Sequence, residues 1–411
     1  MTSVFPILIA AAAVLLLGTL GDVLFRRARM PASLWLVLCA VLLGPVFGLV
    51  PRGYALHAAP FLLPFVLIAV LSDLEKHLSL PRASHDLKRN GLLAGIAFFA
   101  STALVSATSV LVHAAGLVPE TVSWTDALLL GVVVAAPCSS VAVSLVSRSR
   151  VSHRVIRCLE QESCFGSVLA LLIVALLIPV LDPHVQGFLG TLLHLLRALS
   201  LGLCVGLAAI AVWTGLLLLL RSSFNARVIT HAIMLLAYAV SVEVNASVIL
   251  AMLVFALAVA NANLIIERFR LPIRLDAESD PFAFRVWSGF LVKTAFFLFV
   301  GLMIWPQWDL FVLGLLLTLA LIAGRLPSVL AVFRLMPADR AEISSNNKVT
   351  VGIAIPRGML AGALSLLLVQ TSVVDAAIFL IPAFTVVAAS VAVFVFALVL
   401  DGFVRSAKLH E

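Results

Sequence analysis

Apolar runs long enough to cross a bilayer recur along the whole chain, separated by short polar breaks. Read in order they give thirteen segments, near 3–25, 32–50, 59–78, 91–116, 125–147, 154–180, 191–220, 226–241, 245–262, 283–304, 308–333, 349–370 and 374–399. A helix of about 20 apolar residues spans the hydrocarbon core, so each run predicts a transmembrane helix. The eighth and ninth are divided only by Glu243 to Asn245. The stretch 186–197, with Gln186, His194 and Arg197, predicts an interfacial approach to the seventh span. No basic residue precedes Arg26, so the first run lacks the basic start of a signal peptide and reads as a retained helix. The connections are too short for a soluble domain. The expected fold is an all-α polytopic membrane protein, one transmembrane domain over 1–411.

Composition supports this pattern. Hydrophobic residues make up 63% of the chain and charged ones 11%, against about 25% charged in a soluble domain; mean hydropathy is +1.19. Disordered and nucleic-acid-binding readings need polar sequence that is absent. The net charge of +7 is therefore assigned to loops on one side of a bilayer. All but four of the 27 Lys and Arg fall at or near odd-numbered connections or the C-terminus. The exceptions are Arg52 and Arg197, beside even-numbered connections, and Lys293 and Arg357, within spans. Even-numbered connections hold mostly acids: Glu120, Asp182, Glu243, Asp309 and Asp375. Basic loops face the cytosol, which places the N-terminus outside and the C-terminus inside, in a plasma (inner) membrane.

Two spans carry breakers at mid-depth. The fifth reads Gly131-Val-Val-Val-Ala-Ala-Pro137-Cys138-Ser139-Ser140, and the twelfth Val351-Gly-Ile-Ala-Ile-Pro356-Arg357-Gly358. Unwound backbone at membrane depth is tolerated only where it is buried or lines a cavity. With the seventh span as a linker, both breaks fall in the fifth element of a six-helix half. Paired interruptions in matching positions of an inverted repeat mark a transporter site, so 131–147 and 349–362 are expected to be discontinuous helices.

Ionisable groups inside the spans are the second signal, because each costs about 2.5–3.5 kcal/mol on insertion scales. They are Glu160 and Glu162 in the sixth span, Lys293 in the tenth and Arg357 at the twelfth-span break. A Glu162–Arg357 ion pair is the economical expectation. Arg285 and Arg325 sit near cytosolic ends, where snorkelling accounts for them. No nucleophile–base pair, metal cluster or phosphate loop stands out, so neither an enzyme nor a cofactor is expected.

These residues resemble the monovalent cation/proton antiporter superfamily, sodium/proton exchanger type. The likeness rests on Leu159-Glu-Gln-Glu-Ser163, similar to that family's Leu-Glu-Gly-Glu-Ser, and on Leu43-Gly-Pro45, Ser72-Asp-Leu-Glu75, Ser247 to Asn261, Lys293 to Gly301, Arg325-Leu-Pro-Ser-Val329 and Arg357-Gly358 in the same order. It implies a core domain near 91–180 and 283–370 around two crossed broken helices. The remaining helices would form a scaffold, in a homodimer working by alternating access. It also implies a cation site at Cys138, Ser139, Ser140, Ser163 and Ser167, beside the breaks at Pro137, Pro356 and Gly358.

One departure bears on mechanism. The family's Asn-Asp or Asp-Asp pair, whose Asp binds cation and proton in turn, corresponds here to Gly166-Ser167. A serine hydroxyl can ligate an alkali ion but cannot titrate near neutral pH. The coupling group could be Glu162, held by Arg357, or Lys293. Lys293 and Arg357 against Glu162 also fit a chloride or small organic-acid carrier, and a transporter fold serving as a non-transporting sensor or complex subunit is the further alternative. The leading expectation is exchange of Na⁺ or K⁺ for protons with non-standard coupling residues.

Overall fold

The computed structural model describes residues 4–28, 31–50, 52–78, 87–117, 123–138, 142–143, 153–220, 226–268, 282–304, 307–335, 351–352, 354 and 356–407. Among these every regular element is helical. The helices are α1 (Val4–Ala28), α2 (Ala32–Val41, continued by a π-helical turn Leu42–Val46), α3 (Arg52–Glu75), α4 (Leu87–Ala114), α5 (Trp124–Ala135), α6 (His153–Val180) and α7 (Phe188–Leu220). Then come α8 (Ala226–Glu243), α9 (Val248–Ala260), α10 (Ala262–Arg268), α11 (Phe282–Met303), α12 (Trp308–Leu335), α13 (Met359–Gln370) and α14 (Ala376–Ala407). Among the described residues six helices are long and apolar enough to cross a membrane, within α3, α4, α6, α7, α12 and α14, and the bent pair α9–α10 makes a seventh if it is one span. The chain is an integral membrane protein.

Local chemistry sets the ends that matter. A capping box starts α5: the Ser123 hydroxyl accepts from the Thr125 N–H (3.0 Å) and the Asp126 carboxylate from the Ser123 N–H (3.2 Å). The same helix stops at Ala135 because Ala136 precedes Pro137, which pushes it into extended backbone (ψ 115°). Val351 and Gly352 are helical, Pro356 to Gly358 are not, and α13 begins at Met359. The eighth and ninth runs separate at a turn in which Asn245 takes a left-handed φ of 54°. Residues 188–197 are not a separate interfacial piece but the first turns of α7. Its 33 residues reach about 50 Å, longer than the hydrocarbon core is thick.

The two short helices beside the breaks are the most enclosed elements. Every residue of α13 from Met359 to Leu368 is buried, and α5 is buried from Leu129 to Ala135. Leucines 189, 193, 196, 203, 207 and 219 of α7, by contrast, are exposed, as a lipid-facing or scaffold helix requires. Around the centre, α4 packs on α5, α6 and α12; α5 also packs on α6, α13 and α14; α13 packs on α3, α6, α11 and α14; and α12 packs on α14. Away from it, α2 and α3 pack on α11, and α7 on α8 and α9.

Without a hydrophobic force between helices in lipid, close packing at small residues does this work. A Cβ on Gly131 would stand 2.2 Å from the Ser106 Oγ and 2.7 Å from the Thr102 carbonyl, so α5 lies directly against α4. A Cβ on Gly324 would meet the Ser101 backbone at 3.1 Å, bringing α12 onto α4 from the other side. Gly131→Ala should therefore lower stability by about 1–3 kcal/mol, as overpacking does. Thermal unfolding in detergent checks this, and an unchanged midpoint would contradict the packing described.

Candidate functional site

The α6 stripe spaced by a helical turn does most of the positioning. Glu162 and Gly166 share one line of that helix, Ser163 and Ser167 the next. All four are buried, and Gly166 and Ser167 meet Pro137, just past the end of α5. Gly166 is there for space: a Cβ on it would stand 2.6 Å from the Pro137 Cγ. The proline ring thus lies against the backbone of α6. One residue on, the Ser167 hydroxyl donates to the Pro137 carbonyl at 3.2 Å. That carbonyl is among those left without a helical partner where α5 stops.

The Glu162 carboxylate corrects the expected pairing. It is gripped by Arg325 of α12, whose Nη1 donates to Oε1 at 2.6 Å and Nη2 to Oε2 at 2.9 Å. Nη2 also reaches the Val351 carbonyl at 3.3 Å. Glu162 is 2% exposed and Arg325 4%. Arg325 therefore does not snorkel to the interface; it turns inward beside Gly324, where α12 meets α4. A two-pronged guanidinium–carboxylate pair is the strongest charge-assisted arrangement available to a side chain, and it leaves Arg357 without the partner assigned to it.

Arg357 sits in the non-helical stretch just before α13, 2% exposed. Its backbone N–H donates to the Ser390 Oγ of α14 at 2.9 Å, and that hydroxyl donates to the Val387 carbonyl at 3.1 Å. The guanidinium lies in electrostatic reach of Arg325, Glu162 and Cys138. Its Nε has no hydrogen-bond partner, nor has that of Arg325. Glu162, Gly166, Arg325, Arg357 and Pro137 line one small cavity, closed by Ala94, Ala97, Phe98 and Ala135. The structure thus brings together Pro137, Glu162, Arg357 and Ser167, with Pro356 and Gly358 flanking Arg357, while Ser163 is buried on α6 one turn before Ser167. Cys138 is partly buried at the end of α5, whereas Ser139 and Ser140 lie outside the described residues.

Lys293 does not join them. It is exposed on α11, and its charge acts on Asp73 at the end of α3, which is bonded to Lys76 at 2.6 Å. The helix register explains this: Thr294 and Phe296 to Val300 face the interior, and Lys293 lies off that face. A second cavity, of about 330 Å³, opens between α6 and α13 on one side and α7, α8 and α9 on the other. Asp182 and His194, 3.4 Å apart, lie at it, as do Tyr238 and Gln370, whose side chains are 3.4 Å apart.

Comparison with known proteins gives the family and the fold. The family model "Sodium/hydrogen exchanger, transmembrane" matches residues 11–404, and the chain belongs to that family. Its members are transporters, not enzymes. The sodium proton antiporter MjNhaP1 from Methanocaldococcus jannaschii, solved at pH 8, is similar with a TM-score of 0.71 at 19% identity, over 94% of this chain and 95% of that one. An electron-microscopy structure of the same antiporter gives 0.70 at 18%, over 98% and 96%. At this identity the likeness establishes the fold. No curated protein matches the chain.

Asparagine at position 166, as in the resembling sequences, has no room here. Gly166→Asn should cost about 1–3 kcal/mol by forcing α6 off the Pro137 ring, read as a lower unfolding midpoint; a variant as stable as the parent would mean the ring does not fill that space.

Proposed function

We propose that the chain exchanges a monovalent cation, Na⁺ or K⁺, for protons by alternating access, as a homodimer in the plasma (inner) membrane with its N-terminus outside. Family membership supports the exchange. The observation that carries the site is the Pro137 carbonyl, capped by Ser167 at the end of a buried half-helix. Carbonyls at a helix C-terminus carry the negative end of the helix dipole, and unwound carbonyls with hydroxyls ligate alkali ions in transporters. The cation then sits among the Pro137 carbonyl, Ser163, Ser167 and the Cys138-Ser139-Ser140 stretch. Glu162 is the one carboxylate among the described residues of the adjoining cavity. Proton exchange at this site therefore passes through Glu162 and its grip on Arg325, and Lys293 takes no part in it.

The packing supports thirteen spans in two inverted halves. Exchanging fourth with eleventh, fifth with twelfth and sixth with thirteenth maps α4 on α6 to α12 on α14, α5 on α6 to α13 on α14, and α5 on α14 to α13 on α6, all of which occur. The contacts α4 on α12 and α5 on α13 map to themselves. In the outer helices, α1 on α2 maps to α8 on α9, and α2 on α11 to α9 on α3. The interrupted fifth and twelfth spans then cross at the centre of a core near 91–180 and 283–370. The 330 Å³ cavity lies where that core meets α7 to α9, the place for an outer vestibule.

Purified protein in liposomes with an internal pH dye tests this, with jumps of Na⁺, K⁺ and Li⁺. A cation-dependent pH change is expected, and Ser167→Asp should raise apparent cation affinity about tenfold, or ~1.4 kcal/mol. Silence from correctly inserted protein toward all three cations would contradict the proposal.

A further inference from the structure

Among the described residues the charges at the centre do not balance. Glu162, Arg325 and Arg357 line one cavity at 2%, 4% and 2% exposure. Both carboxylate oxygens are taken by Arg325. Arginine does not lose its proton in proteins, so Arg357 brings an uncompensated positive charge into a site walled by Ala94, Ala97, Phe98 and Ala135. An unpaired buried ion costs several kcal/mol even after relaxation. A water molecule could satisfy the two orphan Nε–H groups, on Arg325 and Arg357, but it would leave the charge.

The backbone adds to the same pole. Arg357 lies two residues before α13, a twelve-residue helix whose N-cap, Gly358, offers no side-chain acceptor. The first N–H groups of α13 and the positive end of its dipole are thus directed at the Arg357 side of the break. The opposite pole, at the Pro137 carbonyl, belongs to α5. The two helix ends give the centre a cation side and an anion side.

We propose that a small inorganic anion, chloride in practice, binds in this cavity against Arg357 and Arg325 as the counter-ion of the buried cluster. The cavity is small, with space on the order of one water molecule, so a monatomic anion suits it better than phosphate, sulfate or a carboxylate. Bound chloride would return the cluster to neutrality and so remove the repulsion a cation would otherwise meet on reaching Ser167. The inference rests on the charge count and holds whichever ion is transported.

The test is equilibrium binding of radiolabelled chloride to the purified full chain at constant ionic strength, with gluconate as the replacing anion, alongside thermal unfolding in the same series. Saturable binding near one chloride per chain is expected, with an unfolding midpoint that rises as chloride replaces gluconate. Arg357→Gln should weaken binding at least tenfold, and Arg357→Lys should retain part of it. Absence of saturable chloride binding in the parent protein would overturn the proposal, whatever the variants do, and so would binding unchanged in Arg357→Gln. No gradient is imposed, so a failure here is separate from a failure of cation exchange in liposomes.

Discussion

The Glu162–Arg325 pair is the constraint on which the centre depends. Two charges have been taken out of solvent, and only the two-pronged geometry, with the Val351 carbonyl as a further acceptor, offsets their desolvation. Neither partner can leave without stranding the other, so α6 and α12 are fixed in register although 163 residues separate them. That register decides what else reaches the cavity. It sets Gly166 under the Pro137 ring, brings Ser167 to the Pro137 carbonyl, and leaves Arg357 facing a carboxylate already taken.

Close packing does the rest. Gly131 and Gly324 let α5 and α12 approach the backbone of α4, Gly166 admits the Pro137 ring against α6, and Gly362 of α13 admits the Phe296 ring of α11. By contrast α7 exposes a long row of leucines and packs on α9 through Gly202 and Gly206. The proposed alternating access would move the closely packed centre against these outer helices. The cavity between α6, α13 and α7 to α9 lies on that boundary.

Much of this was legible in the sequence, because membrane helices announce themselves by length and apolarity, and proline by its missing donor. The stops at Pro137 and at Pro356 to Gly358 follow from local backbone chemistry. The partner of Glu162 was not legible. Arg325 stands ten residues before the end of its helix (Leu335) and near a basic connection, where snorkelling is the ordinary reading; nothing in its own neighbours reports that α12 turns it inward. The adjacent Gly324 was the available signal, since a small residue beside a charge on a helix marks a face pressed against another helix. Gly166 was similar. Read as a lost asparagine it looks like a deletion of function, but its place under a proline ring is visible only when α6 and the end of α5 are set side by side. Lys293 misled for the opposite reason: a charge inside an apolar run looks buried until the helix register is known.

The most direct test is a pair of double-mutant cycles on unfolding free energy, one joining Glu162→Gln with Arg325→Gln and the other joining Glu162→Gln with Arg357→Gln. The account predicts a coupling of about 2–3 kcal/mol in the first cycle, as for contacting groups in one network, and a much smaller one in the second. Additive losses in the first cycle, or the larger coupling in the second, would contradict it.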